Sequence, residues 1–213
     1  APQAFDEDMH IAIVGGKRVR IRLADDLREE RSHSVSLSAD LYHTFGKVQT
    51  NLLVEGFYTI LDDVFALRDM DDAADGGKVK ERYNGSGATV RGFNVEGRAA
   101  FTRWFELQAG VTLQQSRYKE PEFWSEGAEV PPVRGIFRTP DAYGYFTASF
   151  KPVRNFTADL SGTCTGSMLV QHMAGSGVAQ DVAVSTPSFF DMNIRLSYDV
   201  RIYKEITMQL YGG

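Results

Sequence analysis

Hydrophobic and polar residues alternate along most of the chain, most clearly in the stretch FELQAGVTLQQSRYK at 105–119. Through residue 113 its odd-numbered positions are Phe, Leu, Ala, Val and Leu, and its even-numbered positions up to 114 are Glu, Gln, Gly, Thr and Gln. Successive side chains of a strand point to opposite faces, so this pattern predicts one strand with an apolar and a polar face. It is long enough to cross a bilayer, which takes about nine to eleven residues of a tilted strand.

The same alternation recurs and predicts eight strands, at 33–42, 48–60, 89–101, 105–119, 145–150, 156–165, 190–200 and from 206 onward. In the third strand the alternation of apolar and polar residues is irregular near Arg91. The first 31 residues are predicted as a loop with a short hairpin at Gly15-Gly16.

The connections between these strands alternate in length. Short turns are predicted at 46–47, 102–104 and 152–154, and long loops at 62–86, 120–137 and 171–187. In an antiparallel up-and-down meander, that alternation places every tight turn at one end and every long loop at the other. Outer-membrane barrels have this layout, with short periplasmic turns and long extracellular loops.

Two further features favour a membrane barrel. Aromatic residues flank the short turns, as in a girdle at a membrane interface: Phe45, Phe101, Trp104, Phe105, Phe150, Phe156 and Tyr203. Charged residues stand in mid-strand, which suits a water-filled lumen: Glu96, Arg98, Asp159 and Arg195. The alternative is a soluble antiparallel sheet whose apolar face is an ordinary core.

The alternation also assigns the two faces of the predicted sheet. We expect Val111, Ala158 and Ile194 to face lipid. Their neighbours Thr112, Asp159 and Arg195 should face the lumen.

Composition narrows the class of protein. The 213 residues carry a net charge of −5, which gives no basic footprint for nucleic acid, and the 24% of charged residues is not that of a disordered chain. Cys164 is the single cysteine, so no intrachain disulfide forms. No apolar run of about eighteen residues predicts a transmembrane helix. The opening Ala1-Pro2-Gln3 is not a signal peptide, so we expect either a removed leader or a start within a longer protein.

Several stretches resemble TonB-dependent outer-membrane receptors, in the form common in Bacteroides-like bacteria. They are APQAFDEDMHI with VGG (1–16), IRLADDLREERSHSVSLSADLY, NLLVEGFYT, NGSGATVRGFNVEG, FRTPDAYGYFTAS and STPSFFDMNIRLSYD. The resemblance implies an all-β chain whose antiparallel meander is a segment of a larger barrel of about 22 strands around a plug. Residues 1–213 would be the C-terminal part of the barrel domain, without the plug and the final barrel strands.

The same resemblance implies a function. The whole protein would import a scarce nutrient, such as a ferric siderophore, cobalamin or haem, across the outer membrane of a Gram-negative bacterium. Its partners would be outer-membrane lipid, a siderophore- or cobalamin-like ligand, and the TonB complex, reached through the plug. Two alternatives stay open: a passive porin-like outer-membrane barrel, and a soluble β-sheet ligand-binding module.

Candidate chemistry in the sequence is sparse. No GxSxG or zinc motif supports catalysis, so we expect no enzyme and no cofactor. The four histidines lack metal-ligand spacing, and Asp69, Asp71, Asp72 and Asp75 lack the twelve-residue calcium layout. Residues at the loop end are candidates for contacting a ligand, unless they pack the loops or form an upper girdle: Tyr118, Trp124, Arg134, Arg138 and His172. An isolated segment of these strands should self-associate through its sheet edges or apolar face.

Overall fold

The computed structural model describes residues 13–14, 17–70, 78–125, 130–175 and 177–213. This part of the chain is built from β-strands joined by turns and loops. The strands are β1 (Ile13–Val14), β2 (Lys17–Leu23), β3 (Arg31–Phe45), β4 (Val48–Asp62), β5 (Phe65–Met70), β6 (Lys78–Asn84), β7 (Ala88–Thr102), β8 (Phe105–Glu122), β9 (Val133–Gly135), β10 (Ala142–Phe150), β11 (Phe156–Thr165), β12 (Leu169–His172), β13 (Val182–Ser185), β14 (Phe189–Tyr203) and β15 (Ile206–Gly212). Within the described ranges, no helix has the length and apolar character needed to cross a membrane.

Eight strands form the main sheet in the order β3-β4-β7-β8-β10-β11-β14-β15, and β9 pairs with the outer part of β8. Neighbours in this order are antiparallel. The predicted all-β, up-and-down meander is therefore confirmed, and the order of its strands follows the sequence. The longest strand, β8, has 18 residues, more than the roughly nine to eleven that cross a bilayer. The additional residues of β8 extend beyond the part of the strand that would cross the bilayer.

The short turns collect at one end of the sheet, as predicted. Gly46 and Lys47 join β3 to β4, and Gly46 has a φ of +63°, the left-handed conformation that glycine adopts without strain. Four of the seven predicted girdle residues contact one another. Phe101 stacks on Phe105 with ring centroids 5.4 Å apart, and Trp104 meets Phe150 edge-on at 5.3 Å. This part of the predicted girdle is thus a packed cluster across three strands and a turn.

Strand register sorts the side chains into two faces. One row contains Val54, Val95 and Val111, directly opposite one another on β4, β7 and β8. The next row, one residue along, contains Glu55, Asn94 and Thr112, linked by hydrogen bonds across the strands. One face of the sheet is therefore a continuous apolar surface and the other a mainly polar one, as the alternation predicts.

The irregular phase at Arg91 marks where the apolar band ends. Arg91 shares the parity of Phe93 and Val95, and its guanidinium donates a 2.8 Å hydrogen bond to Gln115 directly opposite on β8. Two residues further along β7, on the same face and toward the short turns, Phe93 pairs with Leu113. From Leu37 down to Phe45 on β3 there are eight residue steps, or about 26 Å along the strand. With the tilt of such barrels, about 35–45°, this length rises about 20 Å along the membrane normal, a little less than an apolar band about 25 Å tall.

The apolar face is not a soluble core. Among the described residues only Ala24 and Ala88 are buried hydrophobic side chains, whereas Leu37 is 81% exposed and Val35 73% exposed. A soluble sheet covers its apolar face with a second layer. No second layer of described residues covers this sheet, which is the arrangement of a barrel wall that faces lipid.

The structure corrects the sequence interpretation of the loops. Part of the predicted opening loop is β2, which pairs in parallel with β6 inside the predicted loop 62–86. β5 and β6 form an antiparallel pair in the same loop, and β12 and β13 form another within 169–185. β1 pairs antiparallel with β2, as the hairpin at Gly15-Gly16 predicts, although these two glycines lie outside the described residues. So do three of the four aspartates compared with a calcium loop, at 71, 72 and 75.

Candidate ligand site at the loop end

The loop end is built where β4 and β7 stop pairing and the chain turns away as β5 and β6. At this kink Asp63 has a φ of +54° and Gly87 a φ of +84°. A Cβ at Gly87 would lie 2.4 Å from the carbonyl oxygen of Leu61, so the close approach of the two backbones requires glycine here. Beyond the kink, β5 and β6 leave the main sheet and pair in a separate sheet.

Side chains of β8 brace the kink from the other side. The hydroxyl of Ser86 donates a 2.8 Å hydrogen bond to Glu122 Oε1, and the backbone N–H of Ser86 donates to the same oxygen at 3.2 Å. The ammonium of Lys119 forms an ion pair with Asp62 at the end of β4. This ion pair lowers the pKa of the Asp62 carboxyl, chiefly through the hydrogen bond from Lys119.

Asn84 fastens the segment that follows β2 to the same kink. Its Oδ1 accepts from the backbone N–H of Arg28 at 2.7 Å, and its Nδ2 donates to the carbonyl oxygens of Arg28 and Asp63 at 2.9 and 2.7 Å. The backbone N–H of Ala24 donates to the Arg82 carbonyl at 2.9 Å. Parallel pairing of β2 with β6 thus continues into a set of local hydrogen bonds, and the loop sheet β1-β2-β6-β5 is anchored to the wall.

A buried carboxylate organises the middle of this loop sheet. Glu81 on β6 lies opposite Arg22 on β2 and Arg68 on β5. Arg68 donates to Glu81 through Nε at 2.8 Å and through Nη2, and Arg22 Nε lies 4.0 Å away. Arg22 also approaches Asp25 at 3.7 Å. The two arginines are therefore matched by two carboxylates, Glu81 and Asp25.

A second group of loop residues packs together at the end of β8, across from the edge strand β5. Trp124, just after β8, meets Phe137 edge-on with ring centroids 5.4 Å apart, and its indole N–H donates to the Pro131 carbonyl at 3.3 Å. Ser125 donates a 2.6 Å hydrogen bond to Asp181, which precedes β13. These contacts tie the end of β8 to the β12–β13 hairpin.

A cavity of about 800 Å³ lies between the edge strand β5 and this group of loop residues. Its volume is within the range of small-molecule sites. Six of its lining residues are aromatic: Phe65, Tyr83, Tyr118, Phe123, Trp124 and Phe137. The charged residues in the lining are Arg68, Lys80 and Glu122.

Two phenols in the cavity lie near the carboxylate of Glu122. Burial raises the pKa of Tyr118, and the negative charge of Glu122 raises it further. The pKa of Tyr83 is raised by the same two causes, again with burial first, while Arg68 opposes the shift. Both phenols are therefore neutral at physiological pH and remain hydrogen-bond donors.

Of the five residues predicted to contact a ligand, the structure places two in the cavity lining, Tyr118 and Trp124. Arg134 lies on β9 and forms a 3.5 Å ion pair with Glu120. Arg138 lies in a turn with a φ of +57°, and its backbone N–H donates to the Leu169 carbonyl. His172 ends β12 and is exposed, between two residues that line the cavity. Whether any of the five contacts a ligand stays a prediction.

Most of the cavity is not predictable from the sequence. Phe65 and Tyr83 lie on β5 and β6, within the segment 62–86 that the sequence predicts as a loop, and their approach to β8 depends on the kink at Gly87. The available signal is the recurrence of a basic residue at every second position, in KRVRIRL at 17–23 and in KVKER at 78–82. Within the described ranges, no group of three or more His, Cys, Asp and Glu residues converges to hold a metal ion.

The polar face below the cavity carries its own network. Glu96 accepts hydrogen bonds from the Tyr145 hydroxyl at 2.5 Å and from the Gln108 amide at 2.8 Å, and Ser149 donates to Asp159 at 2.6 Å. Arg195 lies over the ring of Tyr211 at 4.8 Å. These contacts join β7 to β8 and β10, β10 to β11, and β14 to β15, so this face suits a wet lumen.

The apolar band, the polar face, the girdle and the separation of turns from loops together define the wall of a transmembrane β-barrel. The whole chain, residues 1–213, matches the family described as TonB dependent receptor-like, beta-barrel. The protein therefore belongs to the TonB-dependent receptors, whose barrels lie in the outer membrane. No curated protein sequence matches the chain.

Solved structures of such receptors have the same fold. A mutant of the ferric enterobactin receptor PfeA from Pseudomonas aeruginosa matches with a TM-score of 0.59 at 14% identity, over 91% of this chain and 26% of that one. The ferric-catecholate import receptor Fiu from K12 E. coli matches with a TM-score of 0.57 at 14% identity, over 88% of this chain and 24% of that one. The copper transporter OprC matches with a TM-score of 0.57 at 10% identity, over 88% and 26%. The chain thus spans about a quarter of the length of these receptors, and the meander is a segment of a larger barrel.

Proposed function

We propose that residues 1–213 form part of the barrel domain of an outer-membrane receptor in a Gram-negative bacterium. This receptor imports a scarce nutrient, a ferric siderophore or a comparable metal complex, with energy supplied through TonB. Family membership supports the transport class, and several structural neighbours are described as iron or siderophore receptors. OprC, described as a copper transporter, leaves the identity of the metal open.

The observation that carries the proposal is the cavity at the loop end. It lies at the end of the sheet that corresponds to the long extracellular loops of outer-membrane barrels. Its lining combines six aromatic residues with aliphatic side chains and a few charged groups, as in sites that bind small molecules. A passive pore has no need of an aromatic cavity of about 800 Å³ at its outer end.

In this proposal each surface has its own role. The apolar band contacts outer-membrane lipid, and the polar face lines the lumen through which the nutrient passes. The plug and the contact with the TonB complex belong to other parts of the receptor. Tyr118 and Trp124 are the predicted contact residues best placed for ligand capture, whereas Arg134, Arg138 and His172 lie outside the cavity lining.

Disruption of the gene in its own host tests the proposal. Growth on one ferric siderophore, or on another scarce metal or cobalamin source, should be lost and should return with the intact gene on a plasmid. Deletion of TonB should produce the same defect. Uptake that persists without TonB would contradict the proposal and favour a porin-like barrel.

A further inference from the structure

The four short turns of the main sheet are basic. They are residues 46–47, 103–104, 151–155 and 204–205. Each turn contains at least one of five lysines and arginines, which are called the basic rim: Lys47, Arg103, Lys151, Arg154 and Lys204. Glu205 is the only acidic residue in these turns, so they carry a net charge of +4 in a chain whose net charge is −5.

The charges of the basic rim are not balanced by any described acid. All five of its residues are exposed. None of the ion pairs formed within the described ranges includes any of them. The ammonium of Lys204 lies 5.1 Å from the centroid of the Tyr203 ring, a contact that leaves its charge in place. The rim is therefore a positively charged surface that can accept anionic groups.

Hydrogen bonds hold neighbouring turns side by side. The backbone N–H of Lys151 donates to the carbonyl oxygen of Trp104 at 2.7 Å, which joins the β10–β11 turn to the β7–β8 turn. The backbone N–H of Asp199 on β14 donates to the carbonyl oxygen of Asn155 at 2.8 Å. The basic side chains are thus spaced along one ordered end of the wall.

The basic rim begins where the aromatic girdle ends. Three of its members are chain neighbours of predicted girdle residues: Arg103 of Trp104, Lys151 of Phe150, and Lys204 of Tyr203. Girdle residues lie at the boundary of the hydrocarbon core. The headgroup layer beyond that boundary is roughly 5–7 Å thick on each side, and one strand residue advances about 3.3 Å. The charged ends of the rim therefore lie at the depth of the lipid phosphates.

Lysine and arginine form charge-assisted hydrogen bonds with phosphate, and basic clusters beside a membrane attract anionic lipids. The rim is also continuous with the face of the wall that contacts lipid. In outer-membrane barrels the short turns face the periplasm. We propose that the basic rim binds the headgroup phosphates of anionic phospholipids, such as phosphatidylglycerol, in the leaflet that faces the periplasm. This interaction is separate from nutrient transport.

Trp104 reports on the lipid beside the rim, because it follows Arg103 in the chain and is 45% exposed. The full-length receptor is reconstituted in phosphatidylcholine bilayers with a minor share of phosphatidylglycerol, and one of the two lipids carries bromine on its acyl chains. Bromine quenches nearby tryptophan fluorescence. The signal lost in Trp104→Phe isolates this position. Phosphatidylglycerol should bind there about fivefold more strongly than phosphatidylcholine, whose headgroup carries its own cation.

Matched variants assign this preference to the basic rim. Arg103→Gln combined with Lys151→Gln removes the two cations nearest Trp104 and should bring the ratio of the two binding constants to about one. Arg103→Lys combined with Lys151→Arg keeps both charges and should keep the preference. Arg20→Gln combined with Arg28→Gln removes the same charge at the loop end and should leave the ratio unchanged.

The two glutamine substitutions should not disturb folding, because the side chains of Arg103 and Lys151 are exposed and form no hydrogen bond within the described chain. The unfolding midpoint in detergent checks this. Equal binding of both lipids at Trp104 in the unmodified receptor would overturn the inference. So would a preference that survives Arg103→Gln with Lys151→Gln, or one that is lost equally in the Arg20 and Arg28 variant.

Discussion

The backbone of Gly87 lies so close to the carbonyl oxygen of Leu61 that a Cβ at position 87 would be 2.4 Å from that oxygen. Gly87 also has a φ of +84°, which side-chain-bearing residues adopt only with strain. Gly87→Ala should therefore cost about 2 kcal/mol or more, from strain and the clash together. Thermal unfolding of the full-length receptor in detergent measures the loss.

Gly56→Ala is the matched control for that substitution. A Cβ at Gly56 meets no atom within 4 Å, and its backbone is in the ordinary strand conformation. The methyl group would be added on the apolar face, where it contacts lipid. An unchanged midpoint of thermal unfolding for Gly56→Ala, together with a lowered midpoint for Gly87→Ala, supports the requirement for glycine at the kink. Equal midpoints would contradict it.

Asn84 should hold the loop sheet to the wall. Asn84→Ala removes three hydrogen bonds to backbone atoms of Arg28 and Asp63. At roughly 1 kcal/mol for each bond, local opening of β2 should become more than tenfold more frequent. Hydrogen exchange of the amides in 17–23 measures this opening. Asn193→Ala is the control, because Asn193 bonds to Asp191 on its own strand, and exchange in 17–23 should not change in this variant.

The ion pair of Asp62 with Lys119 predicts a dependence on acidic pH. Its hydrogen bond lowers the pKa of Asp62 from the ordinary value of 3.8. A lowered pKa means that the pair stabilises the fold above pH 3.8 and that this contribution is lost as the pH falls through the folded-state pKa. Lys119→Met should remove this contribution. The acidic decline in melting temperature should then be shallower in the variant. Parallel acid profiles of the two proteins would contradict the assignment.

An isolated polypeptide of these 213 residues should associate in water. β3 and β15 each have one unpaired edge within the main sheet, and the apolar face is exposed. Open edges and large apolar patches recruit further strands and surfaces. Sedimentation velocity should show oligomers that detergent above its micellar concentration dissociates. A detergent-independent monomer would contradict this expectation.

The main sheet was predictable because its pattern is local. The strand 156–165 was predicted with the bounds that β11 has, since alternation, flanking turns and length all lie within a short window. Parity alone predicts that Val111 and Thr112 lie on opposite faces, and the register confirms this, whereas the contact of either face with lipid stays a prediction. Even the irregularity at Arg91 had a physical cause, because that residue stands where the apolar band ends.

The loop sheet was not predictable in the same way. β2 and β6 pair in parallel across about sixty residues of chain, and no local pattern states which distant segments will meet. The cavity depends further on the kink at Gly87 and on Trp124 packing against Phe137. The sequence places Tyr118 and Trp124 at the loop end and says nothing more about them. The same criterion applies to Arg134, Arg138 and His172, which lie outside the lining.

One face of this sheet should contact lipid, and the other should line the lumen of an outer-membrane receptor. Cysteine substitutions at the adjacent positions Ala158 and Asp159 test this assignment. They are made in the full-length receptor with Cys164→Ser, because the native Cys164 lies on the same apolar face as Ala158. Reaction with a lipid-soluble maleimide is then measured in intact outer membranes. We predict strong labelling of Ala158→Cys and weak labelling of Asp159→Cys, and the reverse order would contradict the account.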